Sequence, residues 1–90
     1  MTGVVHVHKA AWDVYIGRPS KWGNPFSHKV GTRAEFLVAS REEAIALYAE
    51  WILLQPLLMT DLHELRGKTL GCWCAPLPCH GDTLYKLANQ

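Results

Sequence analysis

All three cysteines of the chain fall in one twelve-residue stretch, Gly71-Cys72-Trp73-Cys74-Ala75-Pro76-Leu77-Pro78-Cys79-His80-Gly81-Asp82. Thiols are retained where they pack, bind metal or react, so gathering them beside His80 and Asp82 marks this turn as a chemical centre. One chemistry is metal binding. On a strand Cys72 and Cys74 project to one face and Trp73 to the other, and Cys79 with His80 brings the donors to the four that a structural zinc site requires. The spacing argues against it: one residue between two thiols is tighter than the usual two-residue knuckle, and adjacent Cys79 and His80 would both have to turn towards one ion. A metal-free turn is therefore the leading expectation, with a core that Trp73 and Leu70 help to fill, and zinc on Cys72, Cys74, Cys79 and His80 is the alternative.

The other chemistry is nucleophilic. If the last helix starts near Gly81 or Asp82, its first amides favour an anion, which would lower the pKa of Cys79 and let His80 exchange a proton with it. Asp82 would orient His80 or cap the helix, a position where Asp is favoured. Cys72 and Cys74 also suit a plain packing role. No disulfide is expected, because one intervening residue strains a Cys72–Cys74 ring and a cytosolic setting opposes oxidation.

A second constellation lies far away in sequence. Arg18-Pro19-Ser20-Lys21-Trp22-Gly23-Asn24-Pro25 holds two cations, a hydroxyl, an indole and a carboxamide on a loop that its Pro and Gly residues keep irregular. Arg18 and Lys21 suit a phosphate or carboxylate, Ser20 adds a hydroxyl, Trp22 could stack on a planar ring and Asn24 could read a polar edge. Neither the G-x-G-x-x-G nor the Walker phosphate loop is present. The same residues have a structural use, with Trp22 and Phe26 anchoring the loop while Asn24 fixes a turn. Each turn alone is an incomplete pocket, so the expectation is that they meet in space and bind an anionic nucleotide-like or ribosyl-containing molecule, with Cys79, His80 and Asp82 available for turnover. His6 and His8 share a strand face; His28 and His63 read as solvated.

The elements that must position these turns follow from periodicity. Val4 to His8 alternates, with Val5 and Val7 on one face and Val4, His6 and His8 on the other, as in a half-buried first strand, and Val14 to Ile16 reads as a second. Thr32 with Glu35, and Ser40 with Glu43, have capping-box spacing, so a short and a long helix are expected to follow. The long one carries Ala44, Ile45, Leu47, Tyr48, Trp51 and Ile52 as an apolar stripe. Pro56 opens another helix through Leu57, Leu58, Leu62 and Leu65 to a stop at Gly67. Lys68 to Trp73 reads as a third strand entering the cysteine turn, and the last helix buries Leu84 and Leu87. This order predicts a single α+β or α/β domain over residues 1–90, one small sheet of about three strands packed with three or four helices.

Ninety residues, of which 49% are apolar, suffice for one modest core. A net charge of +1 with interspersed signs argues against general nucleic-acid binding. The longest apolar run, Trp51 to Leu54, is too short for a bilayer, so no membrane partner is expected. The N-terminus lacks the features of a secretory signal and the cysteine count is odd, both of which lead to a cytoplasmic expectation.

Arg18-Pro19-Ser20-Lys21-Trp22-Gly23-Asn24-Pro25-Phe26, then Leu65-Arg66-Gly67-Lys68, Leu70-Gly71-Cys72-Trp73-Cys74 and Pro78-Cys79-His80-Gly81-Asp82, together resemble the domain-of-unknown-function family numbered 4326. The resemblance covers nearly the whole chain and is weakest from Ser27 to Ala39. It implies an origin among bacteria and their phages, treats the two turns as one site, and supplies no activity. Beside the pocket, two classes stay open: a structural zinc domain, and a compact phage-type module that binds a host protein.

Overall fold

The computed structural model describes residues 3–28, 36–75 and 77–90. Its centre is a parallel three-stranded sheet in the order β1 (Val4–His6), β5 (Leu70–Cys72), β2 (Val14–Tyr15). Val4, Val5 and His6 pair with Leu70, Gly71 and Cys72, while Val14 and Tyr15 pair with Leu70 and Gly71. A parallel strand flanked on both sides must bury both faces, and β5 does so: Leu70 and Cys72 are 0% and 1% exposed. The run from Lys68 to Trp73 is thus a strand only as far as Cys72.

Alternation separates Val5 and Val7 from Val4, His6 and His8 without saying which face turns inward; in the structure Val4 is buried, and Val5, His6 and Val7 are half-buried. The reason is the last helix, α3 (His80–Ala88), which lies against Val4 and Ile16. Gly81 permits this approach, since a Cβ there would come within 2.7 Å of Ile16 Cδ1 and 3.0 Å of Val4 Cγ1. On the other face Gly71 lies under the Trp12 indole, 2.6 Å from where its Cβ would stand.

The long helix α1 (Arg41–Leu53) begins where its caps predict. Ser40 Oγ accepts from the Glu43 amide at 3.1 Å, and the Glu43 carboxylate reaches back one residue beyond the usual box, to the amide of Ala39. Of the expected stripe, Ala44, Tyr48 and Ile52 are buried, whereas Ile45, Leu47 and Trp51 are half-buried. Pro56 opens α2 (Pro56–Asp61), and a 3₁₀ turn (Leu62–Leu65) follows. The turn buries Leu62 and Leu65, but α2 buries nothing and Leu57 is 79% exposed, because the chain bends between α1 and α2 and turns Leu53, Leu54 and Leu57 outward.

Two strands escape the periodicity altogether: β3 (Phe26–Ser27) and β4 (Phe36–Leu37) pair in parallel with Phe26 and Phe36 stacked. The start of the short helix expected after Thr32 lies outside the described residues, and where it would continue the chain is instead strand β4. The described residues form an α+β arrangement of a three-stranded and a two-stranded parallel sheet with three α-helices. No single helix among the described residues is long and apolar enough to cross a membrane.

Tyr48 joins the site loop to this core. Its ring is fully buried, and its hydroxyl donates to the Trp22 carbonyl at 2.8 Å. Burial alone raises its pKa. Tyr48→Phe deletes that donor and strands a buried carbonyl, so urea denaturation should show a loss of about 1–2 kcal/mol; an unchanged midpoint would mean that the loop is held by packing alone.

Candidate functional site

A cleft of about 540 Å³ opens at the carboxyl ends of β2 and β5, where parallel α/β sheets place their ligands. Arg18 from the loop after β2, the Cys72–Cys79 turn after β5, and His80 at the start of α3 line it. The opposite wall comes from β3 and the first turn of α1, which contributes Arg41. The fold therefore brings one cation and the carboxamide of the Trp-Gly-Asn-Pro loop, Arg18 and Asn24, into one cleft with the cysteine turn, across more than fifty residues of sequence.

The cysteine turn is wired differently from its sequence reading. Because β5 ends at Cys72, Cys74 is not its strand neighbour in space; Cys72 Sγ instead lies 3.2 Å from Cys79 Sγ. The two sulfurs are hydrogen-bonded, and either can donate. Cys72 is the more acidic, lowered first by the hydrogen bond from Cys79 and further by the backbone amides of Ala75 and Cys74. Cys79 is raised rather than lowered, first because Cys72 already takes the hydrogen bond and then by burial: ionising it would set two anions side by side. All three thiols are free, with Cys72 and Cys79 buried and Cys74 half-buried.

Cys79 is itself the N-cap of α3, which starts at His80, one or two residues earlier than expected. Its sulfur accepts from the Gly81 amide at 3.3 Å, and Asp82 accepts from the Cys79 amide at 3.1 Å. This capping box occupies the helix N-terminus that an anion would otherwise use. Asp82 thus caps the helix, and it is the Ile16 carbonyl that orients His80, 2.8 Å from Nε2. A carbonyl only accepts, so Nε2 carries the proton and Nδ1 is left as the ring's acceptor. Burial lowers the His80 pKa to about 4, and the positive Arg18 acts in the same direction. The imidazole is neutral at pH 7.

The four donors proposed for zinc do not form a cage. His80 Nε2 is committed to Ile16, and among the described residues no three His, Cys, Asp or Glu side chains cluster as ligands.

The loop residues separate. Arg18 Nη1 donates to the Asn24 carbonyl at 2.7 Å, which fixes the guanidinium at the cleft. Asn24 is buried, donating to the Ala44 carbonyl and accepting from the Phe26 amide; it fixes the turn and pins the loop to α1. Trp22, only 2% exposed, is a core residue and offers no stacking face. Ser20 and Lys21 lie outside the cleft and line a second cavity of about 690 Å³ against Pro56, Leu57 and Leu58. There Lys21 is neutralised by Asp61 and Glu64, at 3.0 and 2.9 Å, which raise its pKa. The second cavity consequently lacks a free lysine.

Sequence reasoning passed over Arg41 and Trp73. Trp73 was assigned to the core but is 54% exposed, on the cleft's rim. Period two does put it on the face opposite Cys72. Arg41 carried a signal too: it opens α1, where a cation opposes the helix dipole, so helix stability does not account for it.

Two measurements follow from this wiring. Iodoacetamide at neutral pH should label Cys74 first and leave Cys72 and Cys79 unmodified until denaturant is added, when the count reaches three; early labelling of Cys79 would contradict its burial. Lowered from the ordinary 6.5 to about 4, His80 contributes stability above pH 6.5 that falls away as the pH drops towards 4, because only the unfolded chain takes up the proton in that window. His80→Gln should flatten this acid limb in urea titrations at successive pH values, and an equal slope in both proteins would refute the neutral buried imidazole.

Comparison with known proteins establishes kinship. No solved structure matches the chain. An uncharacterized 12.4 kDa protein from the nrdA-td intergenic region of Enterobacteria phage T4 is 35% identical over 91 residues, covering 97% of this chain and 77% of the phage protein. An uncharacterized protein of Acanthamoeba polyphaga mimivirus is 34% identical over 93 residues, covering 83% of this chain; the match spans 65% of the mimivirus protein. The family profile described as a domain of unknown function, DUF4326, matches residues 5–90, and the chain belongs to that family.

Proposed function

We propose that this domain binds a small anionic molecule of the phosphorylated-ribose or nucleotide class in the cleft at the carboxyl ends of β2 and β5, with Arg18 and Arg41 holding the anion. One observation carries the reading: two arginines line the cleft, and no Asp or Glu lines it among the described residues. Neither guanidinium has a carboxylate partner among those residues. Two guanidiniums without carboxylate partners on the lining of one cleft attract an anion into it, and their planar forks suit phosphate oxygens. The cleft volume falls within the roughly 300–1000 Å³ typical of small-molecule sites. Of the other polar groups lining the cleft among the described residues, the α3 N-terminus is capped and His80 is neutral, while His28 offers a further ring nitrogen to the anion.

Binding is the extent of the proposal. Cys72 and Cys79 are 1% and 3% exposed and hydrogen-bonded to each other, so neither sulfur is presented for attack.

Titration calorimetry with ribose 5-phosphate should give saturable binding that weakens as salt is raised. Arg41→Gln should weaken it by roughly tenfold or more, the scale of a charged hydrogen bond, without lowering the melting temperature. Absence of binding at millimolar ribose 5-phosphate, or binding indifferent to Arg41→Gln, would sink the reading.

A further inference from the structure

Trp73 is a large aromatic side chain left in water yet held in place. Its Nε1 donates to the Tyr15 hydroxyl at 2.8 Å, and that hydroxyl donates to the Arg18 carbonyl at 3.0 Å. The His8 and His6 rings meet it edge-to-face, with centroids 4.8 and 5.7 Å away. The indole nevertheless remains more than half exposed and lines the cleft. An exposed Trp with no ligand gains nothing from so many constraints, whereas a stacking platform gains affinity from them, because its rotamer entropy is spent before binding. The hydrogen-bond chain from Trp73 through Tyr15 ends on the Arg18 carbonyl, so the indole is fixed to the backbone of the residue that carries the guanidinium.

We propose that Trp73 is the base-stacking subsite of this cleft, so that the ligand is a mononucleotide whose planar base lies on the indole while its phosphate meets Arg18 and Arg41. The inference rests on the anion-binding reading above and narrows it from any phosphorylated sugar to one bearing an aromatic base. Burial favours this order of parts: Arg18 and Arg41 are half-buried, whereas Trp73 is exposed, where a base can enter last. Stacking accepts any base, since every base has a π face, and the platform by itself predicts little discrimination among the four.

The test compares ribose 5-phosphate with the four ribonucleoside 5′-monophosphates, probes that share the anion and differ by the base. The wild-type protein should bind the nucleotides about tenfold or more tightly than the sugar phosphate. Trp73→Ala should erase that preference while leaving ribose 5-phosphate affinity unchanged, and Trp73→Phe should keep most of it. Equal wild-type affinities, or a preference that survives Trp73→Ala, would overturn the stacking subsite and leave the anion site standing. Failure of every probe to bind would overturn both. Should Trp73→Ala also lose the sugar phosphate, Trp73→Phe and Trp73→Leu decide: the preference kept by Phe and lost by Leu supports the subsite, and equal loss refutes it.

Discussion

Three residues of β5, Leu70 to Cys72, form the interaction on which the other elements depend. They pair with strands on both sides and are buried on both faces, so every other element is placed by how it covers them. Leu70 and Cys72 face the side where Tyr48, Ile52, Leu65 and Leu84 make the core, and Gly71 faces the side that Trp12 closes. A side chain larger than hydrogen at Gly71 would lift Trp12, and one at Gly81 would lift α3 from the sheet. Because so short a sheet has little area to bury, close approach on both faces does the work that length does in larger folds.

That closeness also governs the thiols. Bringing α3 onto the sheet sets its N-cap sulfur beside Cys72, and two buried sulfurs at 3.2 Å can hold one proton between them but not two negative charges. The arrangement turns a sequence that looks like a nucleophile and its base into a packing contact, a helix cap and a neutral imidazole. Anion attraction in the cleft then falls to the arginines, whose charge cannot be titrated away.

The loop after β2 works in a similar economy. Asn24 and Trp22 are consumed in anchoring it, through Ala44 and through Tyr48, and Lys21 is consumed by Asp61 and Glu64. Arg18 alone is left with its charge facing the cleft, and it is the anchored neighbours that hold it there. On the other face Trp73, Tyr15, His6 and His8 form an aromatic network outside the core, contiguous with the same cleft.

Local chemistry made much of this legible in advance. Ser40 before an amphipathic run, Pro56 opening a helix and the apolar run into Cys72 each act within a few residues, so α1, α2 and β5 could be read directly, as could the two turns and the irregular loop. Short-range pattern could not say which valine of β1 faces inward, because that depends on where α3 lands. It could not find β3 and β4, whose two-residue pairing is too short to show a period. Nor could residue type alone distinguish Trp22 from Trp73 or Lys21 from Arg41: an indole can fill a core or form a platform, and a cation can be paired or free. Which one happens is decided by the groups brought alongside from forty or more residues away, as Asp61 is to Lys21 and Tyr15 to Trp73. The sequence by itself determined the inventory of the site and the elements that carry it; the tertiary structure decided which members of that inventory keep an unspent charge or an open face.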